Sequence, residues 1–149
     1  HDAFPAVHVA NAFIGNYLRL EMLSRHGAGG QAVAEVKGYF LGMAEQTGTL
    51  WEHDRPAASC NHGFASHVAL VLYRDALGIA GIDRTRRRIA LRLGDTPLEW
   101  CEGRVPAGEG AVHVAWRRVG GEVRYRVDVP AGFALSVSIA DGVSAVREW

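Results

Sequence analysis

The period of the hydrophobic residues divides the chain into two parts. In three stretches of the first part, residues 9–25, 31–44 and 61–77, apolar side chains recur at steps of three and four, which is typical of one face of an α-helix. Glycines suited to end a helix follow each stretch: Gly27, Gly29 and Gly30, then Gly48, then Gly78. The pattern therefore predicts three helices before Gly78.

After Gly78 the period becomes two, as in β-strands. Apolar and charged residues alternate most clearly from Val123 to Val129. The other alternating runs are residues 88–93, 112–116 and 133–139, and turn residues such as Gly120-Gly121 separate them. Short alternating strands at this spacing favour an antiparallel β-sandwich. We predict an α+β protein, with the helices in residues 1–78 and the sandwich in residues 79–149.

The composition excludes several classes of partner. Of the 149 residues, 48% are hydrophobic, and 16 basic residues balance 16 acidic ones. A net charge of zero gives no electrostatic reason to expect a nucleic acid or an anionic membrane as a partner. No apolar run approaches the roughly 20 residues of a membrane-spanning helix. Because the chain does not begin with Met, we expect it to be a piece of a longer protein, of undetermined compartment.

The segment with the most chemically capable side chains is the loop between the second and third predicted helices. It holds Trp51 and Glu52 side by side, and Asn61 and His62 follow where the third helix begins. A carboxylate beside an aromatic wall can have its pKa raised by desolvation, as general acids and bases require. The tryptophan suits the apolar face of a sugar ring, and Asn61 and His62 can hydrogen-bond sugar hydroxyls. A solvated glutamate and a helix-capping Asn-His pair would give the same pattern.

A metal site is a competing interpretation of this loop. Six possible ligands lie within 16 positions: Glu52, His53, Asp54, Cys60, His62 and His67. However, His62 and His67 are five residues apart, which separates them by about 140° around a helix. The chain also contains no paired Cys or His-Glu-x-x-His motif. We therefore predict no metal and no other cofactor, and we interpret Cys60 and Cys101 as unpaired thiols.

Two groups of side chains in the second part have alternative roles. Trp100, Trp116 and Trp149 could form a sugar-binding face, but such residues more often fill the core of a sandwich, and we predict that they do so here. The basic run in residues 84–88 is predicted to line a solvated strand edge, where charge discourages unwanted pairing.

The predicted helices carry more aromatic surface than three helices can bury among themselves. The aromatic residues are Phe13, Tyr17, Tyr39, Phe40 and Phe64. We expect this surface to pack on the sandwich or on the helices of a larger assembly. In the isolated chain it would favour self-association through exposed helix faces.

Several motifs resemble the end of the catalytic domain of family 78 glycoside hydrolases, the bacterial α-L-rhamnosidases. They are Gly48-Thr49-Leu50-Trp51-Glu52, Cys60-Asn61-His62-Gly63 and Leu72-Tyr73-Arg74-Asp75-Ala76-Leu77-Gly78-Ile79. The part after Gly78 is similar to the C-terminal β-sandwich of that family, with Leu98-Glu99-Trp100 and Val129-Pro130-Ala131-Gly132 in the expected order. The resemblance covers nearly the whole chain.

This resemblance implies an inverting hydrolase of terminal α-L-rhamnosides, built on an (α/α)6 barrel of which residues 1–78 supply the last helices. By motif match, Glu52 stands at the position of the general base and His62 at that of a histidine that binds rhamnose hydroxyls. Trp51 and Asn61 would complete the sugar subsite. The general acid would come from the missing N-terminal part of the same protein. We expect this chain alone to be inactive, because it supplies one of two required carboxylates.

A different class of function is the alternative. In a non-catalytic carbohydrate-binding or structural module, the sandwich would be the working part and the helices a cap. The two interpretations place sugar at different residues. The enzyme would bind it at Trp51, Glu52 and His62, and the module at Trp100 or Trp116.

Overall fold

The structure, a computed structural model, describes residues 13–57 and 59–148, with side chains from Ile14 onward. The first two helices are α1 (Phe13–Arg25) and α2 (Gly29–Thr47). A 3-10 helix (Gly63–His67), α3 (Val68–Val71) and a π-helix (Leu72–Ala76) then follow one another directly and form the third helical segment. All three predicted helical regions are present. The predicted start of the first helix at Val9 lies outside the described residues.

The glycines between the first two helices differ from the prediction. Gly27, with a φ of 78°, ends α1 as expected, but Gly29 and Gly30 begin α2. Their small size explains why they are there. A Cβ at Gly30 would meet the main-chain carbonyl oxygen of Asp95, and a Cβ at Gly29 would lie 3.1 Å from the Asp75 carboxylate. These glycines let the start of α2 lie close to the second half of the chain.

Seven strands follow in two sheets. They are β1 (Ile79–Asp83), β2 (Arg88–Leu93), β3 (Trp100–Ala107), β4 (Gly110–Val119), β5 (Glu122–Asp128), β6 (Ala134–Ile139) and β7 (Ser144–Arg147). One sheet has the order β1-β2-β6 and the other the order β3-β4-β5-β7. The α+β class and the sandwich are confirmed. The pairing is mostly antiparallel, but β6 runs parallel to β2, and β7 runs parallel to β5.

Two hydrophobic cores support the two halves of the structure. The sandwich core joins both sheets through residues such as Ile89, Leu91, Val112 and Val114, all of which are fully buried. The helical core contains Leu20, Ala32, Val36, Phe40, Met43, Trp51, Ala65, Val68 and Val71. None of the described helices is long and apolar enough to cross a membrane.

A buried carboxylate connects the helices to the sandwich. The side chain of Asp75, in the π-helix, is 0% exposed. It accepts hydrogen bonds from Ser24 Oγ of α1 at 2.7 Å, from Arg74 Nε at 3.0 Å and from Arg92 Nη2 of β2 at 3.1 Å. Nearby, Trp116 Nε1 of β4 donates to the Ala76 carbonyl oxygen at 3.0 Å. These contacts fix the helices against the sandwich.

Candidate active site

The loop between α2 and the 3-10 helix is closed by its own main-chain hydrogen bonds. Gly48, in the left-handed conformation, ends α2 and donates its N–H to Ala44. The Glu52 N–H then donates to the Ser59 carbonyl at 2.9 Å, and the His62 N–H donates to the Leu50 carbonyl at 2.9 Å. The segments 49–52 and 59–62 therefore run side by side, and they place Glu52 and His62 on neighbouring main-chain segments.

Trp51 anchors this loop from the inside. Its ring is 3% exposed, lies in the helical core, and donates a hydrogen bond from Nε1 to Thr47 Oγ1 at 2.8 Å. Thr49 adds a second anchor, a hydrogen bond from its hydroxyl to the Cys60 carbonyl. The position of Trp51 gives it a packing role behind the loop. The expected contact between its ring and a sugar stays a prediction, and the burial argues against it.

Glu52 follows this anchor and is half-buried. Trp51 lies in the helical core, whereas Glu52 beside it keeps part of its surface exposed. Among the described residues, no hydrogen bond or ion pair engages the Glu52 carboxylate. The neighbouring carboxylate of Asp54 is instead exposed, and it lies 3.8 Å from Arg55 Nε. Glu52 thus offers a carboxylate on a fixed main chain, with no internal cation to neutralise it.

His62 is half-buried and is held at both ends of its main chain. Its N–H donates to Leu50, and its carbonyl accepts from Ala65 N at 3.0 Å as the 3-10 helix begins. Asn61 beside it is exposed, so its amide can reach solvent and a ligand. Glu52 and His62 therefore lie on paired main-chain segments and Asn61 precedes His62 at the surface, whereas Trp51 lies in the helical core.

Phe64 is the aromatic residue at the surface of this region. It is 75% exposed, and its ring centroid lies 5.9 Å from that of His62 at an interplanar angle of 34°. The sequence pattern allowed either Phe64 or Ala65 in the buried stripe, and the structure buries Ala65. The sequence contained a signal for the exposure of Phe64. Phe64 directly follows Asn61-His62-Gly63, and the small apolar residue Ala65 was available to fill the buried position instead.

His67 packs among the helices and does not contribute to the candidate site. Its Nδ1 lies 3.0 Å from the Phe64 carbonyl oxygen, and its ring makes edge contacts with Tyr17 and Phe40 at centroid distances of 5.4 and 5.7 Å. These contacts place its ring between α1, α2 and the 3-10 helix. Within the described parts of the chain, no three His, Cys, Asp or Glu side chains are grouped in a way that could hold a metal ion.

The candidates in the sandwich separate into different environments. Trp116 is buried, as predicted, but Trp100 is 68% exposed on edge strand β3, and its assignment to the core is wrong. Trp149 lies outside the described residues. The basic run does not line a strand edge as predicted, because residues 84–87 form an exposed turn between β1 and β2. Burial raises the pKa of the Cys101 thiol, and in the described part of the chain no disulfide joins Cys60 and Cys101.

Comparison with known proteins finds one matching family and a similar solved structure. Residues 84–148 match the family described as the bacterial alpha-L-rhamnosidase C-terminal domain. The whole fold is similar to part of the crystal structure of a GH78 family rhamnosidase of Bacillus sp. GL1, with a TM-score of 0.78 and 20% sequence identity. That match covers 92% of this chain and 16% of the other chain. No curated protein sequence matches this chain.

Proposed function

We propose that this chain, whose residues 84–148 match the family described as the bacterial alpha-L-rhamnosidase C-terminal domain, is the C-terminal part of an inverting α-L-rhamnosidase with Glu52 as its general base. Residues 1–78 would be the last helices of an (α/α)6 barrel, and residues 79–149 the C-terminal sandwich. The observation that carries the proposal is the half-buried residue Glu52, whose main chain is paired with the segment that leads to His62 and whose carboxylate has no cationic partner among the described residues.

The proposed chemistry assigns the Glu52 carboxylate the role of proton acceptor. An ionised carboxylate accepts a proton from water, and the resulting hydroxide-like oxygen attacks the anomeric carbon from the side opposite the leaving group. A second, protonated carboxyl group must donate to the departing oxygen, and inverting enzymes hold the two groups about 6.5–9.5 Å apart to admit the water. This second group would come from the part of the protein that precedes this chain.

The neighbours of Glu52 would position the sugar. His62 and Asn61 can donate to and accept from ring hydroxyls, and the exposed ring of Phe64 is placed to contact the apolar face of a deoxy sugar. Rhamnose has a methyl group at C5, which favours an aromatic neighbour. The rigid main chain of the loop would keep these groups at fixed distances, as general-base catalysis requires.

The decisive experiment is Glu52→Gln in the full-length parent enzyme, assayed with a chromogenic α-L-rhamnoside. Because glutamine cannot accept the proton, we expect kcat to fall by about 100- to 10,000-fold, the usual contribution of a general base. Glu45→Gln, at an exposed position of α2, is the matched control and should leave kcat unchanged. A loss of less than tenfold would remove Glu52 from the role of base.

The proposal also assigns an occupant to the apolar surface of the helices. Ile14, Leu18 and Met22 of α1 are exposed and recur at four-residue steps, so they form one continuous stripe. An apolar groove of about 280 Å³ lies between α2 and the third helical segment, with Val36, Leu41 and Leu72 in its lining. The missing barrel helices would cover both surfaces, at about 1.5–3 kcal/mol for each large side chain buried.

This assignment predicts how the isolated chain behaves. With its barrel partners absent, it should self-associate at micromolar concentration and bind a hydrophobic dye. Ile14→Lys together with Leu18→Lys should reduce both effects, whereas Val119→Lys, at an exposed apolar position of β4, should not. Sedimentation velocity measures the association. A monomeric wild-type chain that binds no dye would contradict the assignment.

A further inference from the structure

The outer face of the four-stranded sheet carries an exposed tryptophan inside a polar array. The strand registers place Trp100 of β3 opposite Arg117 of β4, and Arg117 opposite Arg124 of β5. The next row on this face consists of Glu102, Ala115 and Arg126. Because Ala115 has a small side chain, the face is concave at this point.

The depression has a defined size. It has a volume of about 290 Å³ and is lined by Trp100, the three arginines and Glu148, among others. Trp100 is 68% exposed. Trp116 of β4 pairs with the next residue of β3, Cys101, and is buried in the core. Isolated exposed apolar residues are normal in proteins. The unusual feature here is the combination of a flat aromatic ring, a concave floor and hydrogen-bonding groups around it.

The charges of this face are balanced. Arg117 Nη2 lies 3.3 Å and Arg124 Nη1 3.7 Å from Glu148, and Arg126 Nη2 lies 3.0 Å from Asp128. An anionic ligand would have to compete with these carboxylates for the arginines. A neutral ligand with many hydroxyl groups could instead use the arginine N–H groups as donors and the carboxylate oxygens as acceptors.

We propose that this face binds a neutral saccharide, whose apolar ring face stacks on Trp100 and whose hydroxyls bond to the Arg117, Arg124 and Glu148 side chains. This site is on the sandwich and uses none of the residues of the Glu52 loop. It goes beyond the proposed catalytic function and does not depend on it. If the proposed catalytic function also holds, this site would keep a polymeric substrate on the enzyme between cleavage events.

The test is a titration of the chain with neutral galactan and glucan oligosaccharides, with polygalacturonate as the acidic comparison. Two-dimensional NMR follows the indole N–H signals of Trp100 and of the buried Trp51 and Trp116. We expect the Trp100 signal to shift, the buried indoles to stay unchanged, and the affinity to persist in about 1 M salt, where exposed charges are screened.

Three variants separate this site from the proposed active site. Trp100→Ala should weaken binding by about tenfold, Trp100→Phe should restore part of it, and Glu52→Gln should leave it unchanged. Because Trp100 is exposed, its replacement should not unfold the sandwich, and circular dichroism checks this. Three results would overturn the proposal: equal affinity in Trp100→Ala, no binding of any neutral oligosaccharide, or binding of polygalacturonate alone that salt abolishes.

Discussion

Asp75 is the residue at which one substitution should do most to separate the helices from the sandwich. Its carboxylate is fully buried and bonds to Ser24, Arg74 and Arg92, which belong to α1, the π-helix and β2. Asp75→Asn preserves the shape of the side chain and removes its charge. The amide can still accept from Ser24, but the two arginines lose their anionic partner.

The expected cost follows from how buried each partner is. Breaking a buried ion pair by removing one member costs about 3–5 kcal/mol. Arg74 is 16% exposed and keeps a second carboxylate, Glu21, at 2.7 Å from Nη1, which lowers its share of the cost. Arg92 is 37% exposed, so its contribution approaches that of a surface pair, at most about 1 kcal/mol. We therefore expect Asp75→Asn to lower the free energy of unfolding by about 3 kcal/mol.

Urea unfolding at neutral pH, followed by circular dichroism and by tryptophan fluorescence, measures this loss. The fluorescence change should include Trp116, because its indole bonds to the Ala76 carbonyl next to Asp75. Asp141→Asn, in an exposed turn, is the matched control and should change the stability by less than about 0.5 kcal/mol. A double-mutant cycle with Arg92→Met should give a coupling energy of at most about 1 kcal/mol. A loss below about 1 kcal/mol in Asp75→Asn would refute the view that this carboxylate connects the two halves.

Two further substitutions test local contacts by urea unfolding. Gly30→Ala should destabilise the chain by about 1–3 kcal/mol, because the new methyl group meets the main chain of Asp95. Gly42 lies in open space on the same helix, so Gly42→Ala should stabilise the chain by about 0.5–1 kcal/mol. Equal effects would contradict this. The hydrogen bond from Arg19 lowers the pKa of Glu35 below its ordinary value of 4.5, so this pair stabilises the fold above that pH and its contribution is lost as the pH falls through the lowered pKa. Arg19→Met should therefore lower the free energy of unfolding by a few tenths of a kcal/mol at neutral pH, a small loss because both side chains are partly exposed. In strong acid the substitution should have no effect on this free energy. A loss that does not change with pH would argue against the ion pair.

Local periodicity predicted most of the elements because it reports which face of each element is buried. The change of period at Gly78 separates the helices from strand β1, which begins at Ile79. Strands β1, β3 and β7 were not recognised from the pattern, and in β3 Gly103 and Pro106 interrupt the alternation and Trp100 is exposed. The edge position of β3 explains why a proline is tolerated there. The parallel pairing of β6 with β2 joins residues far apart in the chain, and local pattern carries no information about it.

The third helical segment shows a similar limit. Its apolar stripe predicted one regular helix, but the segment changes from 3-10 to α to π, and Leu77 N–H bonds to the Leu72 carbonyl at 2.8 Å. The wider π turn places Asp75 where Ser24 and Arg92 can both reach its carboxylate. This is a tertiary constraint that overrides the local helical preference.

Predicting the candidate site depended on residue types in the loop more than on hydrophobic periodicity. The side-chain types in the loop made Glu52 and His62 plausible, but alternation alone did not reveal that Trp51 is the buried member and Phe64 the exposed one. That outcome depends on the space beneath the loop, which α2 and the helical core fill. Asp75 was part of a recognised motif, yet its role as a buried link required the position of β2.

The described contacts also indicate how catalysis could depend on the rest of the protein. The described main-chain hydrogen bonds that close the Glu52 loop join residues within 44–62, and Trp51 anchors the loop in the helical core, so the helices of this chain already hold its main chain in place. The apolar stripe of α1, in contrast, is not covered by other parts of the described chain, because its side chains remain exposed. On the proposed function, covering that stripe would supply the free energy that brings the second carboxyl group to a base already in position. Weakening the stripe should then lower activity by weakening assembly with the rest of the protein.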